Sequence, residues 1–114
     1  MSDNAQRDFE GLQARVAALA ERNGWEKFHT PANLARALSV EVGELNEQFL
    51  WDAVPRSRAG LEDEIADCLL LLLRLAQVTN TDPLAVAHAK MDVNDRRVWL
   101  PDGTRDKTRP DSGR

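Results

Sequence analysis

The sequence has no tyrosine, a single cysteine, and no apolar run longer than CLLLLL, from Cys68 to Leu73. One thiol cannot close an internal disulfide, so covalent stapling is excluded and a reducing compartment fits. A run of that length is far too short to span a bilayer. The start, MSDNAQRDFEG, lacks the apolar stretch of a secretory signal. Together these absences point to a cytoplasmic protein without a membrane partner. There is also no P-loop and no glycine-rich phosphate cradle. With 19 acidic against 15 basic residues and a net charge of −4, a nucleic acid polymer is not an expected partner, although a nucleotide held through a metal is compatible. No segment alternates in the manner of a strand, and no internal repeat is visible.

What the chain does contain is helical periodicity. At 114 residues, 42% of them hydrophobic and 30% charged, it has the length and composition of one soluble domain with a modest core. The first helix is expected from about Asp3 to Arg22, with Phe9, Leu12, Val16 and Leu19 on one face and Asn23-Gly24-Trp25 ending it. The second opens on Thr30 as cap with Pro31 in the first helical position, and its pattern continues to Trp51. DAVPRSRAG breaks the chain before a third helix over roughly Gly60 to Val78. A second cap-and-proline signal, Thr81-Asp82-Pro83, opens a fourth helix that runs to about Val98. The expected fold is therefore an all-α four-helix bundle over residues 1–100. Residues 101–114, polar and aperiodic, read as a disordered tail. The third helix is apolar nearly all the way round and needs cover on several sides. Four helices of a small chain supply too little, so a homo-oligomer, dimer or tetramer, is expected.

Two of these helices carry carboxylates where leucines belong. Wound at about 100° per residue, Leu34, Leu38, Leu45 and Phe49 form the apolar face of the second helix. Glu41 falls on that face and Glu44 at its flank beside Ala37. On the third helix Leu61, Ile65, Cys68 and Leu72 define the apolar centre. There Glu64 falls between the directions of Leu71 and Leu75, with Asp67 at the edge, while Glu62, Asp63 and Arg74 read as pointing away. A single inward glutamate is more often a border residue than a ligand. Two i, i+3 pairs on adjacent helices, Glu41/Glu44 and Glu64/Asp67, are harder to dismiss. Four carboxylates in a bundle interior cannot all remain ionised without a cation. Oxygen donors suit magnesium, with manganese as the alternative. The rival, a di-iron bundle, needs two Glu-x-x-His motifs, which the sequence does not supply. Gly43, mid-helix at a cost of about 1 kcal/mol relative to alanine, suggests close approach by a neighbouring helix or a ligand.

EVGEL, followed by EDEIAD, resembles the ExxE…ExxD signature of the all-α MazG-like nucleoside triphosphate pyrophosphohydrolases, and within them the dCTP pyrophosphatase branch. The resemblance runs from about Trp25 to Arg97 and includes WEKFHTPANL, FLW and KMDVN. It implies that Glu41, Glu44, Glu64 and Asp67 are both the metal ligands and the catalytic centre. It further implies hydrolysis of dCTP or a related pyrimidine nucleotide, modified ones included, to the monophosphate and pyrophosphate, as nucleotide-pool house-cleaning. A non-catalytic helical scaffold or nucleotide-sensing module is the alternative. With no glycine-rich cradle, phosphate charge must be met by metal and basic side chains. Lys90 is the candidate phosphate ligand and Asn94 a base or sugar contact, with Arg96 and Arg97 nearby. Against the family, Trp25, His29 and Trp51 become candidates for holding the base, by stacking at roughly 1–3 kcal/mol per ring and by a hydrogen bond from His29. In the dCTP-directed branch an aromatic residue follows the ExxD aspartate by one turn. Leu71 stands there in this chain, a departure that bears on base preference more than on the reaction.

Overall fold

The computed structural model describes residues 7–111, which form four helices and no strand: α1 (Phe9–Arg22), α2 (Pro31–Glu47), α3 (Arg58–Val78) and α4 (Pro83–Arg96). The first residues expected in α1, from Asp3 to Gln6, lie outside the described residues. Each helix starts where local chemistry dictates. The side chains of Asp8, Thr30, Ser57 and Asp82 accept from the backbone N–H three residues on, and Pro31 and Pro83 occupy first-turn positions that need no donor. Between α1 and α2 the chain turns through Gly24, whose φ of +65° suits a residue without a Cβ.

The end of α2 departs from the sequence pattern. The helix stops at Glu47, so Phe49, Leu50 and Trp51 lie in the connection to α3 and not on a helical face. The cause is Gln48. Its carbonyl accepts from Arg56 N at 2.8 Å and its side-chain Oε1 from Ser57 N at 3.1 Å, which folds the connection back on the helix end. The Gln48 amide also packs over Gly60, where a Cβ would come within 2.8 Å of Nε2 and 2.7 Å of Ser57 Oγ. Of the two expectations for Gly43, close packing by a neighbouring helix is not met within the chain, since among the described residues a Cβ there meets nothing within 4 Å.

Chain contacts divide the protein into two compact units, 1–81 and 82–114. In the first, α3 packs against α2 and, less extensively, against α1. The buried apolar residues, Ala20, Leu34, Leu73 and Ala76, come one from α1, one from α2 and two from α3. That is a small core. Ile65 and Leu72, expected at the apolar centre of α3, are about half-exposed, as are Leu69 and Leu70. The second unit comprises α4 and a turned segment. Trp99 pairs with Arg105 in an isolated antiparallel bridge, and the Trp99 indole N–H donates to the Asn94 carbonyl at 3.1 Å. Asp102 and Asp106 each accept from the N–H and hydroxyl of the threonine two residues on. These bonds run through the stretch read from sequence as a tail, whose last three residues lie outside the described ones. No described helix is long and apolar enough to cross a membrane.

Candidate metal and nucleotide site

The packing that buries Leu34 against α3 also sets the carboxylates. Glu41 lies seven residues, two turns, beyond Leu34 and so emerges on the same face of α2. Glu64 and Asp67 share a face of α3 by their three-residue spacing. Glu41, Glu64 and Asp67, all half-buried, each present an oxygen within 4.8 Å of the others. The Oε2 atoms of Glu41 and Glu64 are both buried and find no hydrogen-bond donor. Glu44, one turn along α2 and exposed, stands outside this triad but acts on it through its charge.

The electrostatic consequence is direct. Burial, followed by the charge of Glu44, a hydrogen bond with it, and the charge of Asp67, pushes the Glu41 pKa up to about 7. Glu64 is raised too, first by burial and then by the charge of Glu44, while its hydrogen bond with Glu41 acts in the opposite sense. Cys68 is a half-buried thiol pushed up by burial and then by the surrounding carboxylates. Anions gathered this closely oppose one another's ionisation, and one shared proton relieves only part of the conflict. A divalent cation offsets more of it than a proton can and gives the unpartnered oxygens a ligand to hold. Oxygen donors alone, two of them without a partner, fit a hard ion such as magnesium or manganese.

Beside the cluster opens a cavity of about 900 Å³, bordered by Glu41 and Asp67 and lined further by Arg15, Leu19, Arg22, Trp25, His29, Leu71 and Arg74. It lies wholly within the first unit. The Trp25 and His29 rings sit 5.7 Å apart, tilted by 47°. Arg74 donates from Nε to His29 Nδ1 at 2.8 Å. The expectation that Arg74 points away is therefore corrected. It stands seven residues after Asp67, two helical turns, so the winding that grouped the carboxylates also puts Arg74 on their face of α3, further along the same cavity. Arg15 and Arg22 were missed because a basic residue on an amphipathic helix looks like any solvated charge.

The remaining candidates are placed separately. Trp51 is 88% exposed and borders a smaller cleft of about 280 Å³ with Gln48, Val54 and Arg56, so in one chain Trp25 and Trp51 line different cavities. Lys90, Asn94 and Arg96 lie on α4, in the second unit. Lys90 is exposed, Arg96 half-buried, and Asn94 accepts from Arg97 Nη1 at 3.4 Å.

Comparison with known proteins agrees with this geometry. No family model matches the chain. It is 43% identical to human dCTP pyrophosphatase 1 and 39% identical to the protein of that name from Bos taurus, in each case over 77% of this chain and 57% of the relative. The chain thus spans a little over half the length of these curated relatives. Among solved structures, a pyrophosphatase from Archaeoglobus fulgidus superimposes with a TM-score of 0.72 at 37% identity, covering 76% of this chain and 88% of that one. The MazG-like pyrophosphohydrolase of cyanophage S-2L, bound to dGDP and three catalytic Mn²⁺ ions per active site, superimposes with a TM-score of 0.63 at 28% identity, covering 90% and 94%. By fold and by sequence, the chain belongs to the family of MazG-like pyrophosphohydrolases.

Proposed function

We propose that this chain is a metal-dependent nucleoside triphosphate pyrophosphohydrolase acting on dCTP or a related pyrimidine nucleotide, modified ones included, in cytoplasmic house-cleaning of the nucleotide pool. The carrying observation is the carboxylate triad with two buried, unpartnered oxygens at the edge of a nucleotide-sized cavity. Glu41, Glu64 and Asp67 would hold magnesium or manganese, with Glu44 completing the shell. When bound, the ion would offset part of the negative charge of the carboxylates and of the triphosphate and draw the two together. Water adds to the α-phosphorus, the bond from that phosphorus to the bridging oxygen breaks, and pyrophosphate leaves. The water's proton passes to a carboxylate of the cluster. Arg15 and Arg22 offer positive charge from the cavity wall, Lys90 and Arg96 are further candidates for phosphate, and Asn94 for base or sugar. Trp25 and His29 hold the base from one side.

Trp51 enters the same reading through a second copy of the chain. A core this small and an α3 that leaves Ile65, Leu69, Leu70 and Leu72 partly exposed favour a dimer or tetramer through that helix. A second copy can then complete the pocket with Trp51. The manganese and dGDP of the cyanophage protein support a nucleotide beside a metal, and the names of the curated relatives support dCTP as its class. The reaction is tested with a panel of canonical and modified triphosphates, scoring products with magnesium and with manganese. Monophosphate plus pyrophosphate is expected. Orthophosphate as the primary product contradicts attack at the α-phosphorus, and binding without turnover favours a nucleotide-sensing module.

A further inference from the structure

One end of the cavity holds a hydrogen-bonded chain that phosphate chemistry does not call for. Arg74 donates from Nε to His29 Nδ1 at 2.8 Å and from Nη1 to Gln77 Oε1 at 3.0 Å. Gln77 Nε2 donates in turn to the Gln13 carbonyl at 2.7 Å, anchoring the guanidinium to α1. A guanidinium carries only donors and keeps its proton in proteins. Nδ1 must therefore supply a lone pair, and the neutral imidazole carries its proton on Nε2. A proton on Nδ1 would set N–H against N–H and add a positive charge beside Arg74. In agreement, burial first and then the Arg74 charge lower the His29 pKa. The Trp25 ring, 5.7 Å away, walls the imidazole on one side. Both His29 and Arg74 border the cavity, as do Arg15, Arg22, Glu41 and Asp67.

We propose that Arg74 is a positioning residue that locks His29 as a hydrogen-bond donor through Nε2, so that the cavity selects nucleobases presenting an acceptor, a carbonyl oxygen or unprotonated ring nitrogen, at that point. This rests on the nucleotide reading of the cavity. Arg74 acts through the imidazole. It sets the polarity of the contact, because a base edge offering N–H to His29 meets another N–H and leaves both unpaired.

Histidine ¹⁵N NMR on the full chain, without nucleotide, tests the lock. One tautomer is expected at neutral pH, with Nδ1 unprotonated and Nε2 protonated. Arg74→Met is expected to give tautomer averaging and a titration shifted upward from that of the wild type, burial still holding it below the ordinary imidazole range. If Arg74→Met proves unfolded, Arg74→Gln serves the same readout. A protonated Nδ1 in the wild type, or a His29 signal unchanged by substitution, overturns the proposal. A second arm uses dCTP, with inorganic tripolyphosphate as a probe lacking a base. Substitution of Arg74 should raise KM for dCTP by about three- to tenfold, the weight of one hydrogen bond, leave kcat within about twofold, and leave inhibition by tripolyphosphate unchanged. Equal weakening toward tripolyphosphate assigns Arg74 to phosphate charge and overturns the proposal. Should the wild type fail to turn over dCTP, the proposed reaction is at fault, and the NMR result still decides whether the lock exists.

Discussion

Glu64 and Asp67 on one stretch of α3, and Arg74 and Gln77 two turns later, are equally foreign to a helix so rich in leucine, yet their surroundings differ. Every step from Arg74 outward is partnered, through His29 on one side and through Gln77 to the Gln13 carbonyl on the other. Glu64 and its neighbour Glu41 each keep a buried oxygen with no donor, and the surrounding charges are of their own sign. A satisfied network is rigid and preorganised, whereas an unsatisfied one costs free energy until a ligand completes it. One end of the cavity is built to hold a shape, and the other is built to receive a charge.

The sharpest way to break this contrast is to neutralise a member of the unsatisfied cluster. Glu41→Gln keeps volume and removes charge, so metal affinity and turnover should fall on the order of a hundredfold or more, beyond what loss of a supporting residue around a metal costs. Folding should survive, because repulsion is relieved when metal is absent. Near wild-type turnover at limiting magnesium would remove Glu41 from the ligand set.

A mixing experiment gives the next largest effect. Trp51→Ala and Glu41→Gln, each crippled alone, are unfolded and refolded together. In a shared pocket some sites carry neither defect, so activity should partly return. Confirmed subunit exchange with no gain over the separate mutants places both residues in one chain's site.

The pH dependence of the metal-free protein separates the two ends more gently. Glu41 titrates near 7 when folded against an ordinary value of 4.5, so the folded state binds more protons between those values. Its contribution to stability is fully present below the unfolded value and is lost as pH rises through about 7. Melting temperature without metal should fall over that window, and saturating magnesium should flatten the slope. A slope unaffected by metal, or one of opposite sign, counts against the cluster. The smallest effect is expected at Gln48→Ala, which removes the side-chain bond to Ser57 and should cost about 1 kcal/mol of stability without changing metal affinity, as denaturant unfolding and metal titration would show.

How much of this was legible in the sequence follows from how local each cause is. Thr30-Pro31 and Asp82-Pro83 announce helix starts because a capping side chain and the backbone N–H that donates to it lie three residues apart. The carboxylates were legible because helical winding turns spacing into direction. The end of α2 was not. Its apolar period runs on to Trp51, while the bonds that stop it reach from Gln48 to Arg56 and Ser57, across a connection with no periodic signal. Arg74 was within reach of the same winding, two turns from Asp67, but its partner His29 lies 45 residues away on another element. Such a pairing belongs to packing, which no single segment records.

The central claim is that the carboxylate triad is incomplete without a divalent cation, and counting protons during metal binding tests it most directly. Calorimetric titration of the native protein with manganese near pH 6.5, repeated in buffers of different ionisation enthalpy, gives affinity and proton release together. Because Glu41 holds its proton up to about pH 7, binding should expel about one proton per site. In Glu41→Gln both the affinity and the proton release should drop. No binding at millimolar manganese with nucleotide present, or equal affinity in Glu41→Gln, would contradict the account.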